Sequence, residues 1–241
     1  MGAHRSRGSV EELLRLIDTG RRRSELYGRR QGRPLSAHQN ELVRDLLPLL
    51  RVPNGDIDLA ALFPKAKLFA IEVGFGSGEH LAAQARMQPA CGFIGCEPFA
   101  NGVAKVLGYI QSDQLENVRV VPDDARDVLT RLPESQITSF YVLFPDPWPK
   151  IRHHKRRFIQ AQTLDEIARV LKSGGELRVA TDHMDYARWT LTHVMADQRF
   201  QWDAKCAADW RVRPADWEAT RYEQKALTAG RPCIYLRFFR V

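Results

Sequence analysis

From residue 68 onward, short apolar runs rich in β-favouring residues alternate with stretches whose apolar positions recur at helical spacing. Strands are predicted at 68–73, 91–96, 117–121, 137–144 and 176–181, most of them followed by a helical pattern. That alternation predicts an α/β fold, a mostly parallel sheet with helices on both faces. The clearest helix, 156–171, puts Leu164, Ile167, Ala168 and Leu171 on one face, and Ser173, Gly174 and Gly175 stop it. Upstream, Ser36 and Gln39 form a capping box ahead of Leu42, Val43, Leu46 and Leu47, a stripe that Pro48 ends or kinks. Ser9 and Glu12 repeat that capping logic for one short helix near the start. Residues 51–56 read as a linker, and the tail at 232–239 is predicted to join the same sheet, antiparallel at its edge. The expected organisation is a basic extension with a helix over 1–58 and one α/β domain over 59–241.

Composition narrows the partners. Of 241 residues, 36 are Lys or Arg and 29 Asp or Glu, giving +7 and favouring a polyanionic partner over a cationic one. Arg21, Arg22, Arg23, Arg29, Arg30 and Arg33 gather before the core, around Tyr27. The four cysteines, at 91, 96, 206 and 233, lack the paired spacing of zinc sites, so no metal is expected, and buried thiols in a reducing cytoplasm are the natural reading. The strongest apolar run, Phe140 to Phe144, is far too short to span a bilayer, so no membrane association is expected.

The most informative stretch is Glu72-Val-Gly-Phe-Gly-Ser-Gly78. Gly74, Gly76 and Gly78 let the backbone turn off a strand and approach a ligand closely. The dinucleotide fingerprint needs a further glycine where this chain has Glu79, and the Glu72 carboxylate would repel a pyrophosphate. A nicotinamide-dependent oxidoreductase is thereby disfavoured. A ligand carrying an ammonium and a sulfonium is attracted to that carboxylate, and S-adenosyl-L-methionine is such a ligand. Glu97, closing the second strand, stands where a carboxylate accepts both ribose hydroxyls of a nucleoside. Asp124, after the third strand, suits the adenine amino group or the cap of the next helix; both readings stay open.

The fourth strand runs into Phe144-Pro-Asp-Pro-Trp-Pro-Lys150, whose prolines stiffen a turn that holds Asp146 and Trp148. Amino-methyltransferases place a related turn here to grip and stack on a target base. Directly after it come Lys150, Arg152, His153, His154, Lys155, Arg156 and Arg157, a cluster suited to nucleic-acid phosphates.

With these motifs in hand, the chain resembles the bacterial tRNA (guanine-N7)-methyltransferase family. The resemblance runs from Tyr27-Gly-Arg-Arg-Gln-Gly-Arg33 through the glycine loop, Gly95-Cys-Glu97, Asp124-Ala-Arg-Asp-Val-Leu129 and the proline turn with its basic tail, to Thr220-Arg-Tyr-Glu223. It implies a Rossmann-like S-adenosylmethionine-dependent methyltransferase fold with a seven-stranded sheet. It also implies methylation of N7 of a guanine, position 46, in the tRNA variable loop. By resemblance, Glu72, Glu97, Asp124 and Asp146 contact the cofactor, and Asp146 is also the proposed catalytic residue. Lys150, Asp182, Thr220, Arg221, Tyr222 and Glu223 would contact substrate, with RNA along Arg152 to Arg157. A monomer and a homodimer are both compatible with the sequence.

Overall fold

The computed structural model describes residue 30 and residues 32–241. The expected helix after Ser9 and the Arg21 to Arg23 cluster lie outside the described residues. The strands are β1 (Leu68–Val73), β2 (Cys91–Cys96), β3 (Val118–Val121), β4 (Ile137–Leu143), β5 (Leu171–Thr181), β6 (Phe200–Trp202) and β7 (Ile234–Arg240). They form one sheet in the order β3-β2-β1-β4-β5-β7-β6. The pairings β1 with β2, β1 with β4, β2 with β3 and β4 with β5 are parallel, whereas β7 runs antiparallel to both β5 and β6. The chain winds outward from β1 to β3, then returns to the other side of β1 as β4. The crevice beyond the carboxyl ends of β1 and β4 is therefore the topological switch point, where open α/β sheets bind ligands.

Alternation along each strand separates two core layers. Ala70 and Phe93 face one layer together with Leu42 and Val43 of α1 (Ala37–Asp45), Leu47 of α2 (Leu47–Leu50), Leu81 of α4 (Glu79–Met87) and Leu107 of α5 (Ala100–Ser112). Ile71, Ile94, Phe140 and Leu177 face the other, with Leu59 of α3 (Leu59–Leu62), Val128 of α6 (Ala125–Leu129), Leu164 and Ile167 of α7 (Ala161–Val170) and Tyr186 of α8 (Met184–Met195). From Leu35 on, residues expected as part of an extension are built into the first layer. The capping box at Ser36 and Gln39 is present, and α1 stops at Asp45. Pro48 falls in the first turn of α2, where its missing N–H is not needed.

Four sequence expectations need correction. The helix expected over 156–171 is a 3-10 helix, Ile151–Arg156, followed by α7, because Gln160 and Thr163 form a capping box that starts a new helix. Strand β5 begins at Leu171, with its register jumping from Ile137 opposite Leu171 to Ser139 opposite Glu176. The intervening residues bulge, helped by Gly174 at φ 74°. The carboxyl-terminal strand is antiparallel as expected but lies inside the sheet, since the short β6 takes the edge. Finally, Cys91, Cys96 and Cys233 are buried but Cys206 is exposed. Burial pushes the Cys91 thiol up to about 12 and that of Cys233 to about 11, and raises Cys96 as well.

Candidate active site

At the switch point lies a cavity of about 330 Å³ lined by Glu72, the glycine loop, Phe144 and the segment Thr220 to Tyr222. Glu72 sits at the end of β1, 2% exposed, with its Oε2 2.8 Å from His80 Nδ1 in the first turn of α4. The imidazole is the donor there, packed 4.9 Å from the Trp217 ring and 5.1 Å from Tyr141. The Glu72 carboxylate thus lies buried at the floor of the cavity, oriented by the ring of His80.

The loop is shaped for close approach. Gly76 has φ 58°, and its N–H donates to Glu97 Oε2 at 2.7 Å; Gly74 and Gly78 also have positive φ. Gly102 of α5 packs so tightly on this loop that an added Cβ would meet Gly76 O at 2.1 Å. Glu97 also accepts from Phe99 N at 2.9 Å, so each oxygen is oriented by one amide and retains another lone pair. Burial outweighs these bonds and pushes its pKa up to about 7. A ligand that donates its hydroxyls to Glu97 needs the ionised form, so its affinity should weaken as pH falls through that value. The dissociation constant at pH 6 is expected to be about tenfold higher than at pH 8. Titration calorimetry across that range checks this, and a flat profile removes Glu97 from the binding set.

Asp124 is the N-cap of α6. It accepts from Arg126 N at 2.9 Å and from Arg126 Nη1 at 2.8 Å, so the capping reading is realised. Beside it, Asp123 is 3.5 Å from Arg30, and Asn101 accepts from Gly32 N and donates to Arg33 O. This ties the end of the arginine-rich arm to the rim of the cavity, of which Asn101 is part.

The proline turn is strained at both ends. Phe144 and Trp148 adopt φ 49° and 43°, a conformation that costs roughly 1–3 kcal/mol each and persists only when surroundings enforce it. Phe144 N donates to Ala180 O at 2.8 Å, and its ring packs 5.3 Å from Tyr222. Asp146 stands exposed between the two, its carboxyl raised above the usual range by desolvation from the turn. Arg156 stacks its guanidinium 5.0 Å over the Trp148 ring, and His153 meets the same ring edge-on at 5.9 Å.

The basic run divides. Lys150, Arg152 and Lys155 are exposed, and His153 and Arg156 are half-buried. The His153 pKa is lowered by desolvation and by the surrounding cations. His154 faces Asp185 at 3.9 Å and the Trp189 ring at 5.2 Å. Arg157 is 0% exposed and turned inward. The expectation that it contacts RNA is corrected, because no face of it reaches solvent.

Downstream, Thr220 caps α9 (Arg221–Thr228) by accepting from Glu223 N, and Arg221 pairs with Glu79 at 3.3 Å. Tyr222 is exposed against the cavity, and Asp182 pairs with Arg231 at 2.7 Å. Glu223 is 0% exposed and accepts from Tyr235 OH at 2.5 Å, so it braces this segment from beneath and does not reach a substrate directly. Sequence reasoning missed His80, whose signal was its place one turn into the helix after the glycine loop, and Trp217, which had none. Among the described residues, no group of His, Cys, Asp and Glu is placed to hold a metal ion, and no helix is long and apolar enough to cross a membrane.

Known proteins agree with this architecture. A family model described as "Putative methyltransferase" matches residues 66–236. The tRNA (guanine-N(7)-)-methyltransferase of Rhodospirillum rubrum is 50% identical over 224 residues, 90% of this chain and 88% of that protein. That of Paramagnetospirillum magneticum is 49% identical, over 89% and 92%. In structure, a variant of the 16S rRNA (adenine(1408)-N(1))-methyltransferase from Catenulisporales acidiphilia with its cosubstrate SAM superposes with a TM-score of 0.53 at 15% identity, covering 80% of this chain and 95% of that one. That likeness establishes the fold, while the sequence relatives establish the kinship: the chain belongs to the family of the bacterial tRNA (guanine-N(7)-)-methyltransferases.

Proposed function

We propose that this enzyme transfers the methyl group of S-adenosyl-L-methionine to N7 of guanine 46 in the variable loop of tRNA, in the cytoplasm. The observation that carries the reading is the union, in one cavity, of a buried anionic floor with the end of a strained turn bearing Asp146. Exposed cations on the following 3-10 helix, and relatives named for this reaction, support it further.

The residues present fit a cationic nucleoside donor. Glu72 would oppose its charged end, Gly74, Gly76 and Gly78 would leave room for close approach, Glu97 would offer lone pairs to the ribose hydroxyls, and Asp124 would serve the adenine. Bound there, the donor supplies an electrophilic methyl on a sulfonium. Guanine N7 has an in-plane lone pair and no proton to lose, so the protein needs no strong base. Its task is alignment, which supplies on the order of 7–11 kcal/mol of a barrier when two reactants are held at attack distance. Asp146 serves this by accepting hydrogen bonds from the guanine base, and Phe144, at the start of its turn, borders the cavity with Thr220, Arg221 and Tyr222. Side chains cannot read the deep A-form major groove, so the target guanine must be presented from a loop or after local rearrangement. Lys150, Arg152, His153 and Lys155 then hold the flanking backbone.

The test is to react purified protein with methyl-labelled donor and unmodified tRNA transcripts, then map the modified nucleotide. N7-methylguanine at position 46 is expected. Label on another base, or none, removes the reading. In parallel, tRNA affinity should fall linearly on a log–log plot against salt, with a slope near 0.7–0.9 per phosphate neutralised. A flat response would exclude the basic 3-10 helix as an RNA surface.

A further inference from the structure

Arg157 closes the turn that carries Asp146. Its Nε donates to Pro147 O at 2.9 Å and its Nη2 to Asp185 Oδ2 in the first turn of α8. The guanidinium lies 4.8 Å over the Trp189 ring and 5.6 Å over that of Tyr186. Trp189 is itself fixed by donating from Nε1 to Ile159 O at 2.6 Å. A planar fork boxed in this way has one orientation and directs one N–H at the carbonyl between Asp146 and Trp148.

That carbonyl matters because of what flanks it. Pro145, Pro147 and Pro149 fix their own φ, so the turn can relax chiefly through Asp146 and Trp148. Trp148 holds a positive φ that an L residue leaves when it is free to do so. Rotating the Pro147–Trp148 peptide would relieve Trp148 and swing Asp146, but it would break the bond from Arg157.

We infer that Arg157 and Asp185 are positioning residues for Asp146, a clamp of one buried guanidinium and one exposed carboxylate that keeps the proline turn in its strained form. The inference rests on the functional reading above, since it assigns the clamp to the alignment of that same carboxylate. Lysine at 157 retains the charge but cannot reach the carbonyl and the carboxylate through one rigid fork.

Arg157→Lys and Asp185→Asn should each lower the turnover number for tRNA methylation by about 10- to 100-fold, the scale of a small misplacement. The Kd values for tRNA and for the donor, and the salt slope of tRNA binding, should stay within twofold of the parent. Hydrogen exchange at the Phe144 amide, which opens the turn and donates to Ala180 O at 2.8 Å, should quicken by about tenfold. A tRNA Kd raised as far as the turnover number falls would make Arg157 an RNA contact and overturn the clamp. Unchanged turnover would overturn it equally, as would loss of the folded state in both variants, which would mean that the pair holds the domain together. Should the parent protein fail to methylate tRNA, the functional reading falls separately, and amide exchange still decides whether Arg157 holds the turn.

Discussion

Asp146→Ala is expected to lower the rate of methyl transfer about a hundredfold or more while leaving tRNA affinity within a few fold of the parent. A hydrogen bond to a charged group contributes about 1.5–3 kcal/mol, which is roughly 10- to 150-fold in rate when it is realised at the transition state. Misalignment of the base adds to that loss, since this reaction asks the protein for geometry and for little proton transfer. On the proposed function, affinity is set elsewhere, by the cations of the 3-10 helix, which lie outside the turn segment that carries Asp146. Single-turnover methylation beside direct tRNA titration separates the two quantities. Equal losses in both would show that Asp146 binds the substrate without aligning it.

Glu72→Gln carries the second large effect, on the donor. Opposite unit charges 4 Å apart in an effective dielectric of 20 attract by about 4 kcal/mol, and losing even half of that weakens binding about 30-fold. The amide preserves the acceptor that His80 Nδ1 now uses, so the fold around the cavity is retained and the change isolates charge. The demethylated product has lost its sulfonium charge and should be less sensitive than the donor to the same substitution. Calorimetric titration of both ligands into both proteins makes the comparison; a donor affinity unmoved by Glu72→Gln would place the cationic end somewhere else.

Much of this site was legible in the sequence because its signals are local. Strands β1 and β2 have the predicted bounds, and their closing acids, Glu72 and Glu97, mark the carboxyl edge where the cavity lies. The proline turn announces its own rigidity. What could not be read was burial imposed from a distance. Arg157 belongs to a run of cations that looks uniformly solvated, and its partner Asp185 is 28 positions away on another element. Glu223 is similarly hidden by Tyr235, and β6 has three residues, too few for a periodic signal. The helix expected at 156–171 failed for the same reason: the inward turn of Arg157 and Phe158 interrupts it, and only the partners beneath them say so.

The distribution of thiols has a practical consequence for handling the protein. With Cys91, Cys96 and Cys233 enclosed, a maleimide dye or a disulfide-forming oxidant meets one accessible thiol per chain, Cys206. Air oxidation therefore joins two copies through a single symmetric link at that position. A covalent pair that vanishes on adding reductant is therefore traced to Cys206, and non-covalent association has to be measured with reductant present.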